Sequence, residues 1–216
     1  MNDQADFPSI QTMVRTEPIQ QRSAQRIELL LDAAAAIIDA QGIDSLTTSD
    51  VAARSGSSVG VVYRYFPNIQ SLLRALAARN LQRYTDRLFA NLESDSSEWL
   101  NALDAAIDVV VDMYRNTPGF RALRFGDVIQ DRFLDPTLSN NAVIARAIVG
   151  SLAEKYDFVP TDDLVFNFEV VIELEDALIK RAFLFERDGD ERFLDQARLI
   201  AGRYLSDLIS LPTATS

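Results

Sequence analysis

The sequence predicts an all-α fold in two parts: a three-helix domain holding a helix-turn-helix, and behind it a larger helical domain. Three observations predict it. Apolar residues recur at three- and four-residue spacing along most of the chain. Hydroxyl or Asn/Asp side chains open these runs, and Gly or Pro closes them, as caps and stops do. No alternating apolar and polar stretch bounded by turn pairs occurs, so no sheet is assigned.

Residues 1–21 are polar, contain Pro8 and Pro18 and lack periodicity, so they read as a flexible tail; Met13 is a possible alternative start to Met1. From Ser23, residues Ile27, Leu30, Leu31, Ala34 and Ile38 make one face of a first helix, which ends at Gly42, where positive φ costs glycine little. Next comes Leu46-Thr47-Thr48-Ser49-Asp50. A threonine hydroxyl there can cap a second helix, and Asp50 suits its positive end. Val51 and Ala52 face inward, and the helix stops near Ser55-Gly56. Two turns are too few to stand alone, so this helix must pack on its neighbours. Ser57-Ser58 opens a third helix, Val59 to Phe66, which Pro67 ends because the residue before proline is pushed out of helical geometry. Three valines and two tyrosines in so short a helix are poor choices for water, so some are buried and the others need a partner outside the fold. Asn68 caps a longer fourth helix with Leu72, Leu73, Leu76 and Leu81 on one side. Two short helices around a glycine turn, braced by longer ones, make a helix-turn-helix over residues 22–67.

Residues 68–216 read as helices throughout. One runs from Glu98 to Asn116 and is broken by Thr117-Pro118-Gly119; irregular turns cover Phe120 to Phe133. Another opens at Asp135-Pro136 and reaches about Tyr156, a long one covers about 162–187, and the last covers Glu191 to Ile209. Apolar residues around the long helix (Leu164, Phe168, Val171, Leu174, Leu178, Phe183, Phe185) call for burial on more than one side. The last helix and its copy in a second subunit would supply that cover, which makes the expected assembly a homodimer through the last two helices.

Composition narrows the function. The 216 residues contain no Cys and no His, so disulfides, thiolate nucleophiles and the commonest general base and metal ligand are missing. Enzyme chemistry is disfavoured, and no cofactor or metal is expected. No apolar run is long enough to span a bilayer, because Glu169, Glu173, Glu175, Asp176 and Lys180 break the stretch 165–185, and the N-terminus lacks a signal-peptide pattern. No membrane association is expected, and a cytoplasmic location is. The net charge of −11 is unevenly held: residues 1–90 carry nine arginines against nine carboxylates, so the whole excess lies in residues 91–216. A neutral first part can still present a local arginine patch to phosphates.

The run Leu46-Thr47-Thr48 with Val51-Ala52, Gly56, Gly60, Val62-Tyr63-Arg64-Tyr65-Phe66-Pro67-Asn68 and Leu72-Leu73 resembles the DNA-binding region of the tetracycline-repressor (TetR) family, as do Leu31-Asp32-Ala33-Ala34 and Gly42-Ile43. The likeness covers about 50 residues, Arg26 to Leu76. It implies a transcriptional regulator, most often a repressor, with double-stranded operator DNA and a small-molecule effector as partners. By that resemblance Thr48 and Ser49 meet phosphates, Val59, Gly60 and Val61 meet base edges in the major groove, and Tyr63 and Tyr65 reach the backbone; Ser58 and Asn68 are counted with them as DNA-binding residues. The physical reading agrees: helix starts and hydroxyls are natural phosphate donors, valine can touch a thymine methyl, and glycine admits close approach. The two tyrosines lie about 200° apart on a helix, so both cannot be core; Tyr65 takes precedence as the DNA contact. Arg22 and Arg26 are further phosphate contacts. The chain departs from the family at Ile69, where a lysine is usual, and at Ser57, where valine is common.

Trp99, Met113, Phe120, Phe125 and Phe133 cluster around the broken helices, either as core or as the lining of a pocket for a small apolar or amphipathic effector. Glu169, Glu173, Asp176 and Lys180 share one helical face. That stripe reads first as solvated or paired across subunits, and second as placing Glu173 in the pocket. The alternative function is a helical enzyme or carrier for an apolar ligand, which leaves Thr48 to Phe66 without a use.

Overall fold

The computed structural model of the chain describes residues 21–92, 99–123, 137–157 and 159–208, which are helical with no strand among them. Residues 21–84 with 116–123 form one compact unit; 85–92, 99–115, 137–157 and 159–208 form another. The tail 1–20 lies outside the described residues.

The first unit begins with α1 (Gln21–Gln41), α2 (Thr48–Arg54), α3 (Val59–Tyr65) and α4 (Ile69–Leu92). The expected face of α1, from Ile27 to Ile38, is buried, and Ala33, Ala35 and Ile37 are buried as well. This helix is therefore covered on more than one side, and each large side chain removed from water there contributes about 1.5–3 kcal/mol. Gly42 closes α1 at φ 83°, and its N–H donates to the Ile38 carbonyl. In α4, Leu72, Leu73, Leu76 and Leu81 are buried. Arg79, itself buried, reaches back to α1 with ion pairs to Glu28 (3.0 Å) and Asp32 (2.7 Å). These contacts carry the first unit to Tyr84, past the boundary expected at residue 67.

Residues 117–123 complete that unit. Gly119, at φ 72°, donates its N–H to Asp39 Oδ1 (3.1 Å), and a Cβ there would lie 2.9 Å from the Ala35 carbonyl oxygen. Asn80 Nδ2 donates to the Leu123 carbonyl (3.0 Å), and Phe120 and Leu123 are fully buried.

The second unit contains α5 (Trp99–Asn116, which crosses into the first unit at its last residue), α6 (Asn140–Tyr156), α7 (Asp162–Ala182) and α8 (Glu191–Leu208). α7 packs against both α6 and α8. Helix α6 starts later than expected from Asp135-Pro136, because the Ser139 hydroxyl takes the cap and accepts from the Ala142 N–H (2.9 Å). Helix α7 stops about one turn before the expected residue 187. Phe183 turns inward there to stack on Tyr114, with centroids 4.8 Å apart, and the Asp190 N–H closes the turn on the Ala182 carbonyl. Among the described residues no helix is long and apolar enough to cross a membrane.

Candidate nucleic-acid interface

Two short helices that could not persist alone are held by their caps and by burial. At α2 the Asp50 N–H donates to Thr47 Oγ1 (3.1 Å), and the Thr47 hydroxyl donates to Asp50 Oδ2 (2.5 Å), so each residue answers the other across the first turn. Val51 and Ala52 point into the core. Gly56, at φ 64°, makes the turn, and the Ser57 N–H donates to the Ala52 carbonyl. At α3 the Val61 N–H donates to Ser58 Oγ (3.3 Å). Val62, Tyr65 and Phe66 are buried behind it.

The other side of α3 is turned to solvent. Val59 is 39 % exposed, Tyr63 is 48 % exposed, and Gly60 and Arg64 are exposed beside them, with Val61 half-buried. The outward face of the helix-turn-helix thus holds Val59 and Gly60, two of the three residues expected to meet base edges, beside Tyr63 and Arg64. Ser49, Ser58 and Asn68 are exposed and Thr48 half-buried at the flanks. Asn68 Oδ1 is committed to capping α4, where it accepts from the Ser71 N–H (2.8 Å). Ile69 is half-buried at the start of that helix.

Two expectations change. Tyr65, preferred over Tyr63 as a DNA contact, is only 6 % exposed and belongs to the core, and Tyr63 is the exposed ring of the two. The 200° separation holds, but buried Val62 and Phe66 decide which ring turns inward. Arg26 is half-buried and donates from Nη1 to Ser57 Oγ (3.3 Å), so it braces the turn between α2 and α3. Arg22 lies in the first turn of α1, and its side chain is outside the described residues. Sequence reasoning missed Arg64, whose guanidinium sits 5.0 Å over the Tyr65 ring and donates to its hydroxyl (3.3 Å). Its place between two tyrosines on the third helix was the available signal.

The expected effector residues are divided between the two units. Met113 is buried in α5 and Trp99 is half-buried at its start, both in the second unit. Phe120 packs in the first unit, because Gly119 and Leu123 on either side of it are fastened there. Phe125 and Phe133 lie outside the described residues. Glu173 is exposed and accepts from Asn141 Nδ2 (2.8 Å), while Glu169 accepts from the Ser139 hydroxyl (2.6 Å) and Lys180 pairs with Asp176 (3.0 Å). The acidic stripe therefore bonds within the unit, its upper half to the start of α6. An open cavity of about 440 Å³ that the sequence did not suggest is lined by Arg181, Arg192, Phe193 and Gln196, with the Arg181 guanidinium 4.7 Å over the Phe193 ring.

Comparison with known proteins gives matches in both parts. Residues 30–76 match the family described as bacterial regulatory proteins, tetR family, and residues 97–209 match the tetracyclin repressor-like C-terminal domain. The uncharacterized HTH-type transcriptional regulator YvdT of Bacillus subtilis is 30 % identical over 87 residues, 40 % of this chain and 44 % of that protein. The nucleoid occlusion factor SlmA of Haemophilus ducreyi is 29 % identical over 111 residues, 51 % of this chain and 53 % of that protein. The chain thus spans about half the length of the curated relatives it matches. A crystal structure of a TetR-family transcriptional regulator from Streptomyces coelicolor is 34 % identical, covers 88 % of this chain and 100 % of its own, and superposes with a TM-score of 0.74.

Proposed function

Because the chain belongs to the TetR family of bacterial transcriptional regulators, we propose that it is a repressor that holds a palindromic operator as a homodimer and leaves it when a small apolar or amphipathic effector binds. Family membership sets aside the alternative of a helical enzyme or carrier. The observation that carries the reading is the divided surface of α3: Val62 and Tyr65 hold it to the core, while Val59, Gly60, Tyr63 and Arg64 face outward. A regulator of this kind works in the cytoplasm, beside its DNA.

The dimer is supported by apolar residues left in water on the last two helices. Phe166 and Leu174 on α7, and Leu199, Ile200 and Tyr204 on α8, are all exposed in the single chain. Phe166 and Leu174 are eight residues apart, and Leu199, Ile200 and Tyr204 fall within six residues, so each set falls on one helical stripe. Paired across a two-fold, these stripes would make a four-helix contact. Two copies of α3 would then meet half-sites about 34–36 Å apart or a multiple of that. The effector is assigned to the second unit, with Trp99 and Met113 of α5 as its first candidate contacts. Coupling between the two ligands is reciprocal, so operator DNA weakens effector binding by the factor by which effector weakens DNA binding.

The test is selection from a random duplex library by the full-length protein, followed by affinity measurements on the enriched and scrambled duplexes at several salt concentrations. The expected result is a palindromic winner bound about a thousandfold or more above the scrambled duplex. Equal affinity for both, with the same salt slope, would count against operator recognition. A promoter–reporter carrying the winner then separates repression, which is expected, from activation.

A further inference from the structure

We infer that this chain selects its operator through thymine methyl groups, read in the major groove by the isopropyl groups of Val59 and Val61. The inference rests on the regulator reading above and names what that site recognises.

The leading turn of α3 offers little hydrogen-bonding chemistry. Ser58 Oγ accepts from the Val61 N–H as the helix cap, and Ser57 Oγ accepts from Arg26. Beyond them stand Val59, exposed, Gly60, with no side chain, and Val61, half-buried. Arg64 lies a full turn further on and is drawn over the Tyr65 ring. No Asn, Gln, Asp, Glu or Lys occurs between Ser55 and Asn68. The bidentate amide and carboxylate pairings that identify adenine and cytosine are therefore absent from this helix.

The fold does not explain the residues that are present. Valine is a poor helix former, and at an exposed site alanine would serve the helix better. At Gly60 a Cβ would meet nothing closer than Ser58 Oγ, at 3.9 Å, which is ordinary contact, and the backbone there does not take a positive φ. Glycine inside a helix costs about 0.5–1 kcal/mol relative to alanine. A bare backbone between the outward isopropyl group of Val59 and the half-buried one of Val61 thus weakens the helix and serves an approach from outside. The major groove holds one apolar recognition group, the C5-methyl of thymine. Cytosine at the same place would bring an N4–H₂ donor against these side chains and leave it unpaired.

The experiment uses the duplex enriched from a synthetic, unmethylated library, in which thymine is the only C5-methylated base. Each thymine is replaced in turn by deoxyuridine, which removes the methyl and keeps the Watson–Crick pair. The full-length protein should bind about fourfold more weakly for each methyl lost under Val59 or Val61, and about sixteenfold when both half-sites are changed; fourfold is the roughly 0.8 kcal/mol of one buried methylene group. Val59→Ala and Val61→Ala should each reduce the penalty of deoxyuridine at one position, which a double-mutant cycle reads directly. The deoxyuridine series needs no protein variant, so the inference stays testable even if Val61→Ala impairs folding. A winner whose affinity stays within twofold at every deoxyuridine overturns the methyl inference and leaves the regulator reading standing. Failure of the library to enrich any sequence overturns both.

Discussion

Tyr63 and Tyr65 separate what a residue does for the fold from what it does for binding. Tyr65→Ala empties a buried site and should cost about 3–5 kcal/mol, the range for large aromatics in cores. Tyr63→Ala removes an exposed ring and should leave the melting temperature almost unchanged. It should weaken binding to the selected operator about tenfold or more, since a hydrogen bond to a charged phosphate is worth about 1.5–3 kcal/mol. Melting curves and operator titrations of the two variants check this, and a Tyr63→Ala protein with full affinity would remove Tyr63 from the interface. Gly60→Ala should move the two readouts in opposite directions: stability rises by about 0.5–1 kcal/mol while operator affinity falls. At this scale the sequence was only partly legible. It established that the two rings diverge, because that follows from 100° per residue. It did not establish which one turned inward, because that depends on where Val62 and Phe66 meet the rest of the unit. Arg26 shows the same limit, since its bond to Ser57 spans residues far apart in the chain.

Caps and stops decide the elements. Thr47→Ala deletes both halves of the exchange with Asp50 and should cost about 1 kcal/mol, within the usual 0.5–2 kcal/mol range for such caps. In a chain of this size that lowers the melting temperature by about 2–4 °C. Thr47→Ser should restore most of the loss, and no change in either variant would show that α2 is held by packing alone. The caps of α2, α3 and α4 were readable because each is closed by a side chain three residues from the amide it satisfies. The end of α7 was not. Composition does not mark a stop at Ala182; Phe183 leaves the helix to reach Tyr114, a residue far away in sequence, and the Asp190 N–H closes the end. Likewise Asp135-Pro136 is a plausible helix start by composition, and Ser139 shows itself as the cap of α6 only through its bond to the Ala142 amide.

For the whole molecule the decisive quantity is the number of reading helices brought to the DNA. Leu199→Glu with Ile200→Glu places charge on the exposed stripe of α8 and should convert the proposed dimer into a monomer, as light scattering would report. With one head in place of two, operator affinity should fall about a hundredfold or more through lost multivalency. A double variant that stays dimeric would move the subunit contact away from α8. The all-α class and the helix-turn-helix were legible because periodicity and caps are local signals. The extent of the first unit was less so, because residues 117–123 join it from beyond α5, held by Asn80, Asp39 and the close approach of Gly119 to Ala35. That detour bears on any attempt to recombine modules. A DNA reader cut from this chain at Tyr84 and fused to a foreign sensor would lack Phe120 and Leu123, leaving holes in its interior and Asn80 with no carbonyl to hold. A chimera has to bring the later strip of sequence along, either spliced in by a linker or copied into the new host.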